Sequence, residues 1–240
     1  MEGTRKQKNP EAGSTLDAVE AAITSRRSVR GFLSTPVSSE TVRRIIRTAS
    51  RAASGNNTQP WFVRVVTGQA KQNLSDEILR EFYDPELAPN AVAEFNSYPT
   101  EWKAPYKDRR REVGVTMYTL LGIPKGDRKA MQDQAARNFT FFDAPVGLIF
   151  SMDRVFVPGA AIDLGMFMGN ITTLARAHGL DTCPQAAFGI QHSIVRRVLD
   201  IPENEVVMCG MALGHADRGA PLDAMVTSRL DLEEYVTEYE

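Results

Sequence analysis

The sequence predicts an α+β fold in which several helices surround a small, largely buried sheet. Seven stretches carry apolar residues at helical spacing, and three short runs rich in Val, Phe and Met are typical of strands. Helices and strands do not alternate as in a doubly wound fold, and no Gly-x-Gly-x-x-Gly fingerprint is present. A nucleotide would therefore not be held in the Rossmann manner.

We expect a single domain over residues 15–240, preceded by a flexible N-terminal tail over 1–14. The strand-like runs and a possible further extended piece in the C-terminal tail cover 61–67, 146–152, 205–213 and 230–240. The helical patterns cover 15–25, 39–52, 69–82, 107–121, 127–138, 160–178 and 191–199.

The predicted helix at 160–178 is apolar on almost every side, as expected for a buried helix. Gly165 and Gly169 lie four residues apart on one face, where they would let another helix approach closely. The pattern is compatible with two placements. The helix is either central to the core or part of an interface between subunits.

Composition excludes several classes of protein. A net charge of −2 argues against a nucleic-acid-binding protein, and no apolar run approaches the ~20 residues of a membrane span. The three histidines lack metal-ligand spacing, and two cysteines do not make a disulfide framework. The N-terminal residues lack the apolar core of a secretion signal, so we expect a cytoplasmic protein without a metal, a nucleic-acid partner or a membrane anchor.

Two polar segments indicate the chemistry. Ser54-Gly55-Asn56-Asn57-Thr58-Gln59 precedes a strand-like run and offers many hydrogen-bonding side chains to a planar, polar ligand. Alone, it is equally compatible with an ordinary Asn/Gly turn. Earlier in the chain, Arg26, Arg27 and Arg30 surround Ser28, and guanidinium forks with a hydroxyl suit a phosphate.

Together the two segments resemble the nitroreductase family of FMN-dependent oxidoreductases. The family opens with an Arg-x-Ser-type helix end, continues with an Asn-x-Gln-Pro-Trp loop, and ends with an arginine after a Gly-containing strand. Here the last motif is Ser228-Arg229. The resemblance implies a nitroreductase-like fold with a small mixed or antiparallel sheet, an intertwined homodimer, bound FMN, and NADH or NADPH as co-substrate.

The resemblance also implies roles for individual residues. Arg30, where relatives often have Lys, corresponds to the basic residue near the pyrimidine edge of the flavin. The amides of the loop are expected to bond the flavin ring and ribityl chain, with Ser54 facing the partner's flavin. The implied phosphate and amide contacts are Arg26, Arg27, Ser28, Ser228 and Arg229, and Asn56, Asn57 and Gln59.

A further turn, Cys183-Pro184-Gln185-Ala186-Ala187, corresponds to the family's flavin-adjacent turn, where small residues let the backbone approach a flat ligand. Pro184, Gln185, Ala186, Ala187 and Gly189 are therefore expected flavin neighbours. Many members have Glu-Gly where this chain has Ala186-Ala187, so their substrate preferences do not transfer. No His or carboxylate pattern accompanies Cys183, and we predict no catalytic side chain.

The region 85–124 is rich in proline and aromatic residues, and the resemblance implies that it covers the flavin and contacts the substrate. Tyr98, Trp102 and Tyr106 are the expected substrate contacts, because aromatic faces stack on aromatic rings. Lys103, Arg109 or Arg110 would face an acidic substituent. The alternative is a surface excursion pinned by its own aromatic residues.

The implied reaction is a ping-pong reduction of nitroaromatic compounds by NAD(P)H, in pairs of electrons, to nitroso and then hydroxylamine products. The same scaffold also suits reduction of quinones or enones, reductive dehalogenation, or oxidative fragmentation of a flavin. A non-catalytic flavin-binding or arginine-rich interaction module is the alternative from another class of protein. Bleaching of bound flavin by NAD(P)H would separate that module from an enzyme.

Overall fold

The structure, a computed structural model, describes residues 12–88 and 91–240. Residues 1–11 of the predicted tail, and Pro89 in the aromatic region, lie outside the described residues. The described helices are α1 Ala12–Thr24, α2 Ser39–Ala49, α3 Gly68–Phe82, α4 Tyr106–Leu120, α5 Arg128–Ala136, α6 Ala161–Ala177, α7 Ala187–Ile190 and α8 His192–Leu199. The strands are β1 Trp61–Thr67, β2 Val146–Asp153, β3 Asp181–Gln185 and β4 Glu205–Gly214.

The four strands form one antiparallel sheet in the order β1-β2-β4-β3. The two central strands, β2 and β4, are buried along nearly their whole length, which explains their almost continuous apolar sequence. Leu148 pairs with Met211 in the middle of the sheet, and a register shift follows Phe150. The strands β1 and β3 form the two edges.

Apolar side chains from alternate strand residues pack on opposite faces of the sheet. Ile149 joins a cluster with Phe141, Phe188 and other residues near α3, α7 and α8. Leu148 and Phe150 join a second cluster with residues of α2 and α6. The sheet is therefore covered on both faces, as the predicted α+β class requires.

The helix ends follow local sequence signals. Ser38 caps α2 by accepting a hydrogen bond from the Thr41 amide at 3.1 Å, and Asp127 caps α5 by accepting one from the Ala130 amide at 3.0 Å. Gly179, with φ of +71°, ends the α6 turn in a left-handed conformation. The seven predicted helices and three predicted strands are all found, with ends shifted by up to three residues.

Three parts of the sequence interpretation need correction. The predicted turn at 182–189 begins within an additional edge strand, β3, and continues into the short helix α7. The C-terminal tail is not a strand in the described structure; it is exposed and contains a 3-10 helix at Leu232–Glu234. The helix α6 is not buried on every side within a single chain, because Ile162, Met166 and both of its glycines are exposed there; its placement at an interface between subunits stays a prediction.

Candidate active site

A cavity of about 660 Å³ lies beside the end of β3. Its floor is formed by the turn at 183–187, and α4 contributes Val113 and Met117. Its outer wall comes from 91–98, which contains no helix or strand. Arg30 closes one edge. The structure thus places Arg30, Pro184, Gln185, Ala186 and Ala187 around one space.

The sheet positions the floor. Pro184 pairs opposite Met211, and a proline is tolerated there because β3 is an edge strand. Gln185 is 2% exposed, and its Nε2 donates to the Asn138 carbonyl at 2.6 Å. Its Oε1 is buried and has no hydrogen-bond partner within the described chain. An orphaned buried acceptor of this kind is costly unless a donor is supplied.

Gly189 is buried and lies behind the floor rather than on the cavity surface. A Cβ at this position would lie 2.8 Å from the Met208 carbonyl oxygen. The glycine therefore lets α7 pack directly on the backbone of β4. Its predicted direct contact with flavin stays a prediction.

Cys183 lines the cavity but is 2% exposed. Burial raises the pKa of its thiol to about 11, although the charges of Arg30 and Arg26 oppose the shift. The thiol is thus protonated at neutral pH, and the thiolate is the reactive form. This environment is unsuited to a nucleophile, and the absence of a catalytic side chain stays a prediction.

The predicted arginine cluster divides into two groups. The Nη2 of Arg27 donates to Asp223 Oδ1 at 2.8 Å, and its Nη1 donates to the Asp223 carbonyl. Arg218 then bridges Asp223 and Asp181 at 2.8 and 3.0 Å. The charge of Arg27 is therefore already compensated by a carboxylate, which weakens its interpretation as a phosphate ligand.

The other arginines of the cluster lie toward the cavity. Arg26 is half-buried, and its charge acts on Cys183 together with that of Arg30. The Nη1 of Arg30 donates to the Ser28 carbonyl at 3.2 Å and lies 3.9 Å from Met225 Sδ. Ser28 is exposed and forms an isolated parallel bridge with Thr182 of β3. This bridge holds the arginine segment beside the floor.

Ser228 and Arg229 line a second pocket of about 300 Å³. Val113 lines both this pocket and the larger cavity, and Met225 lines this pocket while contacting Arg30. The Nη1 of Arg229 donates to Thr227 Oγ1 at 2.9 Å and to the Ser228 carbonyl at 2.8 Å. The C-terminal motif therefore lies next to the cavity, and its contact with a phosphate stays a prediction.

The loop at 54–59 lies elsewhere. Its residues are exposed or half-exposed and line neither the cavity nor the second pocket. Asn56, Asn57 and Gln59 have positive φ values of 50°, 57° and 47°. The Gly55 amide donates to Asp163 Oδ2 at 3.1 Å, and the Gln59 amide donates to Ser54 Oγ at 3.1 Å. Within a single chain, the amide side chains of this loop therefore lie away from the cavity floor.

The sequence model of the nitroreductase family matches residues 23–215. The chain belongs to the nitroreductase family. It is 38% identical to a nitrobenzene nitroreductase of Ectopseudomonas oleovorans, across 93% of this chain and 97% of that protein. It is 37% identical to a 4-nitrobenzoate reductase of Nocardioides sp. (strain LMS-CY), across 92% and 90%.

A solved structure is also similar over nearly the whole fold. The FMN and NADPH-dependent nitroreductase NfnB from Sphigopyxis sp. strain HMH superposes with a TM-score of 0.88. Its sequence is 32% identical, and the match covers 92% of this chain and 99% of that one. The predicted nitroreductase-like α+β fold is thereby confirmed.

In this nitroreductase the predicted substrate aromatics are only partly at the cavity. Tyr98 lines the wall, and its ring centroid lies 5.7 Å from that of Trp102. Trp102 and Tyr106 are not among the cavity-lining residues; Arg110 lies over Trp102 at 4.9 Å and Arg109 over Tyr106 at 5.6 Å. Arg109 also lines the second pocket.

The cavity wall falls in the predicted covering region, 85–124, but the sequence identifies few of the individual wall residues. Phe95 and Met117 line the wall, as do several small or polar residues of the same segments. No periodicity marks the 91–98 segment, so the sequence does not indicate which of its side chains face the cavity. Among described residues no cluster of His, Cys, Asp and Glu is suited to a metal ion, and no described helix has the length and hydropathy to cross a membrane.

Proposed function

We propose that the chain is an FMN-dependent oxidoreductase that uses NADH or NADPH to reduce nitroaromatic compounds. The observation that carries the proposal is the cavity floor, where Arg30 and the turn at 184–187 meet in a nitroreductase fold. Each two-electron step consumes one NAD(P)H and one further proton. The first step converts the nitro group to nitroso and releases water, and the second converts nitroso to hydroxylamine.

The residues of the cavity fit a flavin. A volume of about 660 Å³ lies in the range of about 300–1,000 Å³ typical of cofactor sites. The floor includes the small side chains of Ala186 and Ala187, while the buried Oε1 of Gln185 lacks a donor among the described residues. A heteroaromatic ring with an N–H group would provide that donor.

When bound, FMN supplies the two-electron transfer between the nicotinamide and the nitro group. Arg30 holds a positive charge at the edge of the cavity, where it stabilises negative charge on a reduced ring. Arg26, Ser28, Ser228 and Arg229 would bind the phosphate end. Tyr98, Phe95 and Met117 shield the site from water and provide apolar surface for an aromatic acceptor.

We further propose a homodimer in which the partner copy completes this site. Ile162, Gly165, Met166 and Gly169 form an exposed stripe along α6, and Ile162 is 73% exposed. An apolar stripe with two glycines is expected to be covered by another helix. The exposed loop at 54–59 is anchored to the same helix through Asp163, so a second copy packed on α6 would receive that loop.

The test is direct. The purified protein should be yellow, and chromatography of the released flavin should give one FMN per subunit. Anaerobic NADH and NADPH titrations should bleach the flavin, and nitrobenzene should reoxidise it. Bound flavin that neither co-substrate reduces would contradict an enzyme, and faster reoxidation by quinones or enones than by nitroarenes would reassign the acceptor.

The homodimer is tested separately by light scattering. Gly165→Leu should reduce both the dimer fraction and the flavin content, because a leucine on the α6 stripe blocks close helix approach. A stable, flavin-loaded and active monomer would contradict the proposal. Gly114→Leu, on the half-buried face of α4 where an added Cβ meets no atom within 4 Å, is a matched glycine control.

A further inference from the structure

The outer wall of the cavity, residues 91–98, has two sides. Ala93 and Phe95 line the cavity, whereas the side chain of Glu94 between them lines a separate pocket with His192 and Arg196. Phe95 also packs against the apolar cluster around Phe150 and Phe167. The wall is thus attached to the body of the protein by an apolar side chain and by an adjacent carboxylate.

The carboxylate of Glu94 is bound by two arginines. Its Oε1 accepts a hydrogen bond from Arg154 Nη2 at 2.9 Å, and its Oε2 accepts one from Arg196 Nη2 at 2.9 Å. His192 Nδ1 lies 3.4 Å from the same Oε2. The Glu94 side chain is only 18% exposed, whereas the side chain of Arg154 is 47% exposed.

Both arginines are also held by backbone carbonyl groups, independently of Glu94. Arg154 donates through Nε and Nη2 to the Glu203 carbonyl at 3.2 and 3.0 Å. Arg196 donates to the Pro202 and Glu205 carbonyls at 2.6 and 2.8 Å. These carbonyls belong to the turn that leads into β4. The central sheet therefore holds the Arg154 and Arg196 side chains in place, and they lose little conformational freedom when they pair with Glu94.

Burial raises the pKa of the Glu94 carboxyl, but the hydrogen bond from Arg154 and the charges of His192, Arg196 and Arg154 outweigh it, and the pKa lies below its usual range. The group is therefore ionised at neutral pH. The same cluster adjoins the floor, because Ile190 lines the cavity and His192 follows two residues later.

We propose that Glu94 is a positioning residue that fixes the 91–98 wall and thereby sets the size of aromatic acceptor that the cavity accepts. The inference rests on the proposed nitroaromatic reduction. Without the paired carboxylate, the wall would keep the packing of Phe95 against the apolar cluster but lose its ionic attachment, and the cavity would admit larger rings while orienting small ones poorly. Misplacement of about 1 Å at such a site lowers rates by up to about a hundredfold.

The experiment compares Glu94→Gln and Glu94→Ala with Glu77→Gln in the flavin-loaded protein. Glu77 is a control, because its carboxylate also pairs with two arginines, Arg80 at 2.8 Å and Arg197 at 3.1 Å, but it belongs to α3 and not to the 91–98 wall. The Glu94 variants should raise KM for nitrobenzene by about tenfold. Flavin content and the rate of flavin reduction should change less than twofold.

Two further measurements distinguish positioning from general damage. The ratio of kcat/KM for 1-nitronaphthalene to that for nitrobenzene should rise in both Glu94 variants, because a released wall admits the larger ring. A protein that is merely less stable would lose both activities equally, and the ratio would not change. Chymotrypsin should cleave after Phe95 about tenfold faster, since cleavage follows the population of the released wall.

Unchanged proteolysis and an unchanged acceptor ratio in Glu94→Gln would overturn the proposal, even if Glu94→Ala does not fold. The proteolysis needs no activity. A protein that reduces no nitroarene but releases its wall in Glu94→Gln would contradict the proposed function while supporting the positioning role.

Discussion

The turn at 183–187 and the loop at 54–59 both present groups suited to a flat, polar ligand, but the fold builds them differently. The turn ends an edge strand that pairs with β4, and it buries Cys183 and Gln185. The loop is exposed, and three of its residues have positive φ values. Such backbone conformations cost of order 1–3 kcal/mol each and persist where function requires them.

This difference separates two kinds of contribution. A change in the turn alters both the folded chain and the cavity, because the same backbone serves both. A change in the loop leaves the core of its own chain intact. We expect it to alter only the contacts that the loop makes in the flavin site of a second copy. Stability and flavin binding should therefore be coupled at the turn and independent at the loop.

The largest effect is expected for Gly189→Ala, immediately behind the turn. The added Cβ would lie 2.8 Å from the backbone oxygen of Met208, which cannot rotate away. Overpacking of this kind costs about 3 kcal/mol, or about 6–12 °C in Tm for a chain of this size. Calorimetry and flavin content should fall together. Gly114→Ala is the control, because no atom lies within 4 Å of its added Cβ.

The second effect is expected at the phosphate end, which belongs to neither region. Arg229→Ala removes a charge-assisted contact worth about 1.5–3 kcal/mol, and its exposure favours the lower value. FMN affinity, measured by fluorescence titration of the apoprotein, should weaken by about tenfold or more. Riboflavin, which lacks the phosphate, should bind both proteins equally. Arg44→Ala, on the exposed face of α2, should leave FMN affinity unchanged.

The loop supplies the third test. Asn57→Gly keeps the backbone free to adopt φ of 57° and removes only the amide. FMN affinity should weaken by about two- to tenfold, as for a lost neutral hydrogen bond, while Tm changes by less than about 2 °C. A fall in Tm comparable to that of Gly189→Ala would show that the loop stabilises the folded chain. The proposed difference between the loop and the turn would then not hold.

How much of this arrangement the sequence predicts depends on the kind of signal. Periodicity and capping residues identify the long helices and the apolar strands, because these follow local rules. The strand β3 escapes because Asp181, Pro184 and Gln185 are poor strand formers; only its position at the edge of the sheet makes the proline acceptable.

Pairing between residues that are far apart in the sequence is the second limit on what the sequence predicts. The arginine-rich segment indicates a phosphate site, but nothing in it distinguishes Arg27 from Arg26. Asp223, which lies 196 positions away, makes that distinction by binding Arg27. Likewise, the attachment of Glu94 to Arg154 and Arg196 depends on three segments that meet only in the folded chain. Motifs therefore identify the chemistry of the site. Which residues belong to its wall, its floor and the 54–59 loop is known only from the structure.

The smallest effect is expected for Trp102→Ala. Trp102 contacts Tyr98 and Arg110 and does not line the cavity, so it acts on an acceptor only by supporting Tyr98. Aromatic contacts are worth about 0.5–1.5 kcal/mol, which limits the loss to about tenfold, and the indirect contact favours two- to threefold. Stopped-flow measurement should place this loss in reoxidation of the flavin by nitroarenes. If the variant instead slows flavin reduction by NAD(P)H and leaves reoxidation unchanged, the wall near Tyr98 serves the nicotinamide, and the aromatic segment belongs functionally with the floor and not with substrate choice.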